Sequence, residues 1–500
     1  MKSRSKYMTH GITTTPHLLE LPKKKIPLPA MLISSLSHDK NPTPQSSPAN
    51  PHQPRVIYIP PLHSSPLQAF PPMHAELKAS EPSISIPNPN LFSDLPGALK
   101  GCLGNLDGAC IEKLLQHCAS ALEAADTTFA QQVMWVLNNV ASPVGDPNQR
   151  LTSWLLQALV ARSSRICPTA NAMSFHDATP PTAARPMSLT DLTRYVDLIP
   201  WHRFGFCASN SAIYDAVQGR HKVHVLDLSI THCMQWPTLI DALSERPQGP
   251  PSLRITVPSS RPPVPPFLAI SNREVGLRLA NFAKSRDVPF SFHVMDGPPP
   301  PPPAAPESPD HHEFLLTQLT SSALDLKQDE ALIINCQNWL RYLPNKENFL
   351  ETIKGLDPCM VVVVDEEADL DSPDLTTRIT ACFNYLWILF DAVEALLPKE
   401  SGERMEYEAD VGHKIENMIA FEGSQRIERS ESSGRLAQQM NKAEFVSVPF
   451  GEETVVEVKS LLDEHASGWG LKREDDKLIL TWKGHNSIFA TAWVPSYQVS

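Results

Sequence analysis

Glycine is scarce in this chain, at 20 residues in 500, whereas proline reaches 49. The scarcity falls where chemistry would need glycine most. No glycine lies between Gly219 and Gly249. The turn after the apolar run Lys222 to Leu228 therefore lacks the Gly-rich loop that lets backbone amides approach a nucleotide. Cysteine is sparse and unpatterned. Nine are scattered from Cys102 to Cys382, and none forms a C-x-x-C pair. The regular trio Cys102, Cys110 and Cys118 has no histidine at zinc-finger spacing. Such a set argues against a disulfide framework and a structural zinc, and for a reducing compartment. Cys118 lies on an apolar helical stripe and is assigned to a core. Long apolar runs are missing as well. The longest, around Leu386 to Phe390, is too short to span a bilayer, and no adequate apolar run follows the basic N-terminus. A soluble protein with no membrane contact is expected. G-x-S-x-G, H-E-x-x-H, P-loop and kinase signatures are all absent.

What is present divides the chain in two. Residues 1–100 hold 18 prolines, 10 basic and 5 acidic residues, and the remainder holds 33 basic and 50 acidic residues. The first segment has too little apolar surface to offset the entropy of folding, so residues 1–104 are expected to be a disordered, Pro-rich arm. Its Lys23-Lys24-Lys25 run is a candidate nuclear-import signal. The acidic body, 105–500, should repel a phosphate backbone unless a local basic patch overrides its field.

Helical periodicity begins near Asp107. Ile111, Leu114, Leu115, Cys118 and Leu122 form one stripe. Asp126 is placed to cap a second helix, and Asp146-Pro147 to open a third through Leu151, Leu155 and Leu159. A further helix is read over Ala208 to Val217. Residues 105–220 thus form a helical cap. From 221 the pattern changes. Lys222–Leu228, Ser252–Val257, Pro289–Met295, Ala331–Cys336 and Met360–Glu367 read as strands, separated by helices. A long helix is expected over Leu375 to Leu397. Lys477–Trp482 and Ser487–Val494, joined by Lys483 to Asn486, read as an antiparallel hairpin. Alternating strands and helices imply a parallel sheet covered on both faces. The fold class is therefore α/β: a Rossmann-like, methyltransferase-like parallel sheet with a C-terminal antiparallel hairpin and an N-terminal helical cap.

Several residues invite a catalytic or metal reading. His224 and Asp227 stand three apart on one strand, so their side chains point to opposite faces. With His232 they are read as buried polar groups satisfied by neighbouring backbone. Asp365, Glu366 and Glu367 end the fifth strand, where active-site acids often occur. They are read instead as a solvated strand end or as partners of bases such as Arg404 or Arg426. The run Arg426 to Glu431 alternates charge as an ion-paired helix would, or belongs to a protein interface. No catalytic, cofactor-binding or metal residue is assigned, and no cofactor is expected.

Val223 to Asp227, VHVLD, resembles the VHIID motif of the GRAS family of plant transcriptional regulators. The likeness continues in order through the body. Asn272 to Val294 is similar to the second leucine-rich region, and the leading helices to the first. Met360 to Asp369 with Phe383 to Pro398 resembles the PFYRE region. Lys414 to Glu431 resembles the RVERHE segment, and Gly468 to Pro495 the SAW region. Each piece is weakly specific; their joint order is highly specific. Trp135–Ser153, Val196–Phe206 and Leu228–Ala242 look closest to one subgroup of the family. Two departures stand out: Cys233 replaces a usual glycine, and Leu436 a usual tryptophan.

The resemblance implies a non-enzymatic nuclear co-regulator. It would dimerise with itself or with other family members and dock on DNA-binding factors, notably zinc-finger proteins of the INDETERMINATE-domain type. DNA would be reached mainly through them. An acidic body without a DNA-reading motif is compatible with that, and its paired amphipathic helices offer apolar surface to a partner. Two other readings stay open: a small-molecule methyltransferase with an unusual cofactor turn, and a direct sequence-specific DNA binder using a local basic groove.

Overall fold

The computed structural model describes residues 107–166, 186–297 and 311–498. The expected arm at 1–104, with Lys23 to Lys25, and the run Pro298 to Pro303 lie outside the described residues, as do Cys102 and Cys167.

The chain opens with three helices: α1 (Gly108–Glu123), α2 (Thr127–Asn138) and α3 (Pro147–Ile166). Asp107 and Asp126 accept from the amides of Cys110 and Phe129, and Asp146 accepts from that of Gln149. Each carboxylate satisfies a helix-start donor that has no partner inside the helix. Next come α4 (Leu189–Leu198) and α5 (Trp201–Ala216). The first was not anticipated. It is set by Ser188 and Asp191, which form a reciprocal capping box. The second starts seven residues before the predicted onset at Ala208.

The sheet then follows: β1 (Lys222–Ser229), α6 (Trp236–Ser244), β2 (Ser252–Val257), α7 (Asn272–Ser285), β3 (Phe290–Val294), α8 (His311–Gln318), β4 (Ala331–Gln337), α9 (Lys346–Lys354) and β5 (Met360–Glu366). After it come α10 (Leu375–Leu396), α11 (Gly402–Ala420), α12 (Ser433–Lys442), β6 (Phe445–Val448), α13 (Glu452–Leu462), β7 (Trp469–Glu474), β8 (Lys477–Trp482) and β9 (His485–Pro495). The strand order is β3-β2-β1-β4-β5-β9-β8-β7, with β6 also paired to β9. The first four pairings are parallel and β9 enters antiparallel to β5. The expected parallel sheet is therefore present. The expected hairpin is larger than predicted, a three-strand meander with β6 attached. Its turn is also tighter. Trp482 pairs with His485, and Lys483 (φ 47°) and Gly484 (φ 86°) form a two-residue connection with positive φ at both positions. That conformation matches the strand twist.

Alternation along β1 sorts its side chains between two cores. Val223 and Val225 face the layer that includes α5, α6 and α10, while Leu226 and Leu228 face Phe349 of α9 and Met440 of α12. The leading helices pack as a cap on the long C-terminal helices: α1 on α10, and α3 on α10 and α11. A buried Arg150 fixes that junction. It donates to Glu408 at 3.0 Å, to Glu394 at 2.7 Å and to the Phe390 carbonyl at 3.1 Å. By contrast α5 packs against β4, β5, β8 and β9. α10 is long and apolar enough, by length and composition, to cross a membrane. An uninterrupted apolar run understates it, because polar residues such as Asn384 interrupt the sequence. Here it is a core helix, with Leu375, Ile379, Leu386 and Phe390 buried.

Candidate functional site

In an open α/β sheet, ligands bind beyond the carboxyl ends of the strands where the strand order reverses. In this sheet the reversal lies between β1 and β4, and the chain's own side chains fill it. Asp227 accepts from Trp236 Nε1 at 2.9 Å, Asn335 Nδ2 at 3.0 Å, Ser229 Oγ at 3.2 Å and Cys233 Sγ at 3.3 Å. Asn335 also donates to Gln235, and Gln235 to Asn210. Gln337 donates to Ser209 at 2.6 Å. Asp227, Gln235, Trp236, Asn335 and Gln337 are all buried. A carboxylate with four donors of its own is a saturated structural group, because every further ligand must displace one of them. The saturation comes from side chains, where backbone partners were expected.

The turn after β1 explains one departure from the family pattern. His232 and Cys233 have φ of 51° and 66°. A glycine adopts that region without steric cost, whereas Cys233 takes it with its thiol tucked against Asp227. Burial pushes the Cys233 thiol well up, so it serves as a buried polar group and not as a nucleophile. Burial pushes the Cys118 thiol up to about 12 in the same way, and Cys118 lies in the core as read.

The histidines do not converge. His224 meets the Thr256 hydroxyl at 2.8 Å on the opposite face from Asp227, and among the described residues its Nδ1 makes no hydrogen bond. Burial, then Arg254, hold it down to about 3, so it stays neutral. His232 Nε2 lies 2.9 Å from the Pro266 carbonyl, and Arg261 sits 3.2 Å from its Nδ1. An arginine has only donors, so the imidazole accepts at Nδ1 and donates at Nε2. Burial and Arg261 hold it down to about 4.

Of the strand-end acids, Asp365 and Glu366 are buried, contrary to the solvated reading, and their partners are not Arg404 or Arg426. Arg341 contacts Asp365 at 2.6 Å and Glu366 at 2.5 Å. Lys414 of α11 also holds Glu366, and Ser430 donates to it at 3.0 Å. Burial alone would raise Glu366, but Arg341 and Lys414 outweigh it and hold the carboxyl at about 2. Burial raises Asp365 despite Arg341. Glu367 is half-buried and accepts from the Ser433 amide. Arg404 pairs with Glu394 at the helical cap, and Arg426 with Asp371 at 3.4 Å. The run Arg426 to Glu431 has no helical turn of its own. Its charge alternation serves tertiary pairs: Arg429 with Asp371, and Glu431 with Lys346 at 3.1 Å. Arg341 escaped prediction; the available signal was an arginine inside the apolar string Trp339 to Leu343.

A cavity of about 290 Å³ lies beside this network, lined by Asn338, Arg341 and Glu366 at the strand ends and by Tyr195, Trp201 and Tyr407 from the helices. The Pro263–Phe267 loop completes its wall.

The profile of the GRAS domain family matches residues 111–494. The chain belongs to the GRAS domain family. Its relatives include Scarecrow-like protein 32 of Arabidopsis thaliana, 42% identical over 82% of this chain and 98% of that one. Protein SHORT-ROOT 1 of Oryza sativa subsp. japonica is 33% identical, over 77% of this chain and 68% of that one. The crystal structure of SCL7 in Oryza sativa matches with a TM-score of 0.62 and 25% identity, covering 77% of this chain and 99% of that one. These GRAS relatives are plant regulators, not known enzymes, and the family acts in transcription and development. The second departure also has a structural account. Leu436, at the usual tryptophan position, is buried against the α9 face of the sheet.

Proposed function

We propose that this GRAS protein is a nuclear co-regulator of transcription that reaches promoters by docking on DNA-binding proteins. The observation that carries the reading is the filled crevice at the β1/β4 reversal. With the crevice where such a sheet would hold a ligand filled by Trp236 and the Asp227 cluster, the sheet serves as a scaffold and function rests on the surfaces it holds. The acidic body agrees, since 33 basic against 50 acidic residues after residue 100 give a field that repels DNA phosphates. Zinc-finger factors of the INDETERMINATE-domain type are the proposed docking partners, with a second copy or another GRAS protein as the dimer partner. Residues 1–104 serve as an arm outside the regulatory body, and no residue of the body is assigned to catalysis.

Immobilised promoter DNA tests this. Purified protein should be retained only when such a zinc-finger factor is added. Retention of the protein alone, falling steeply with salt, would establish direct binding and overturn the co-regulator reading. Calorimetric titration with adenosyl-methionine should give no heat of binding. A saturable isotherm would reinstate the methyltransferase reading.

A further inference from the structure

The cavity at the ends of β4 and β5 has an unbalanced lining. Four carboxylates border it, Glu366, Asp410, Glu416 and Glu428, against two cations, Arg341 and Lys414. Both cations are committed. Arg341 bridges Asp365 and Glu366, and Lys414 grips Glu366. Glu416 has Arg165 at 4.0 Å. Glu428 therefore shares Lys414 with Glu366, and Asp410 has the His413 imidazole near it.

Glu428 is 3% exposed and has Tyr342 at its carboxyl; its Oε2 forms a 3.6 Å ion pair with the Lys414 ammonium but, among the described residues, accepts no hydrogen bond. Burial raises its carboxyl, and raises that of Asp410 to about 6, so each would gain from a nearby positive charge. The same cavity holds a second buried polar atom that lacks a hydrogen bond. Among the described residues the Trp201 indole N–H donates to nothing, although the residue is 7% exposed. Buried polar atoms without partners are uncommon in a settled core. Two with opposite needs, an acceptor and a donor, line one space here. The rings of Tyr195 and Tyr407, 5.4 Å apart, and that of Trp201 form an aromatic wall. Such faces attract cations. Pro263 is exposed and Tyr195 and Asp410 half-buried, so the space reaches solvent.

We propose that this cavity is a binding site for a small protonated organic amine that also carries a hydrogen-bond acceptor. Its ammonium would donate to Glu428 and lie near Asp410. Its acceptor would take the Trp201 N–H, and its carbon frame would rest on Tyr195 and Tyr407. The volume, at the small end of ligand sites, suits a molecule of about a dozen heavy atoms. The proposal rests on the cavity's lining alone, so it stands or falls apart from the co-regulator reading.

Calorimetry on the full chain tests it with two isosteric probes. Tyramine carries the ammonium; tyrosol replaces that group with a neutral hydroxyl. Tyramine should bind one to one and at least tenfold more tightly than tyrosol. Glu428→Gln should weaken tyramine by about tenfold or more and leave tyrosol unchanged, as expected for loss of a charge-assisted hydrogen bond. Should that buried variant fail to fold by circular dichroism, Asp410→Asn at the half-buried rim replaces it, with the same loss of preference expected. Absence of saturable tyramine binding, or equal binding of both probes, overturns the proposal. Tighter binding of Nα-acetyl-lysine amide than of tyramine also overturns it, and would point to a partner's lysine side chain instead.

Discussion

Deleting the Arg341 guanidinium should be among the most damaging single changes in this protein. The side chain is buried and holds both Asp365, at 2.6 Å, and Glu366, at 2.5 Å. In Arg341→Met the hydrophobic volume is largely kept, yet two buried carboxylates lose their main counter-charge. Removing one partner of a buried ion pair costs about 3–5 kcal/mol, more than the pair itself contributes, because the survivor is left uncompensated. An unfolding entropy of roughly 2.1 cal/mol/K per residue, over residues 111–494, gives a slope of about 0.8 kcal/mol per degree. The expected fall in Tm is therefore about 4–6 °C by scanning calorimetry. The same reasoning predicts rescue. Arg341→Met combined with Asp365→Asn and Glu366→Gln removes the stranded charges, while Lys414 keeps Glu428 beside it. The triple variant should regain at least half of the loss. A single variant within about 1 °C of the parent, or a triple variant no more stable than the single one, would refute the structural assignment of these acids.

Three further outcomes follow from the same packing. Trp236→Phe removes the strongest neutral donor to Asp227 and should cost about 1–3 kcal/mol in urea unfolding; a variant as stable as the parent would mean the crevice is not held by that bond. Gly412→Ala places a Cβ 2.3 Å from the Trp154 ring, at the α3–α11 contact, and should cost about 1–3 kcal/mol, whereas Gly434→Ala meets nothing within 4 Å and should be neutral or stabilising. Glu366 is depressed when folded, so its contribution is fully present above its ordinary value of 4.5 and is lost as pH falls toward about 2; Glu366→Gln should flatten that part of an acid-unfolding profile, and an unchanged profile would count against the assignment.

Much of this fold is readable in the sequence, for local reasons. The strands β1, β2, β4 and β5 are dense in Val, Ile and Leu because both their faces are covered, and they announce themselves as apolar runs. Asp107, Asp126 and Asp146 mark helix starts because short carboxylates bond locally. The misses share the opposite cause. β7 carries Lys472, Arg473 and Glu474 on an exposed sheet edge, so its composition resembles a loop. Helix α4 is only ten residues long, too few for its stripe to stand out. Arg426 to Glu431 has the spacing of an ion-paired helix, but its partners Asp371 and Lys346 come from distant loops and helices. The cavity was the least legible feature. Glu428, Lys414, Arg341 and Trp201 meet only because α5, α11 and the turn after β4 converge, and no local pattern records that meeting.

The last strand in the sequence occupies the middle of the sheet. β9 lies between β5 and β8, and its end, Ala492 to Pro495, also pairs with β6. During synthesis the parallel half of the sheet must therefore wait with the edge of β5 open until His485 to Pro495 has emerged. An unpaired edge of four consecutive valines, Val361 to Val364, is a template for pairing with another chain. A protein cut short before His485 would lose more than a tail. It would carry a permanently open valine edge, and its fate should be aggregation or degradation, so that a late stop codon acts on the abundance of this regulator as completely as an early one.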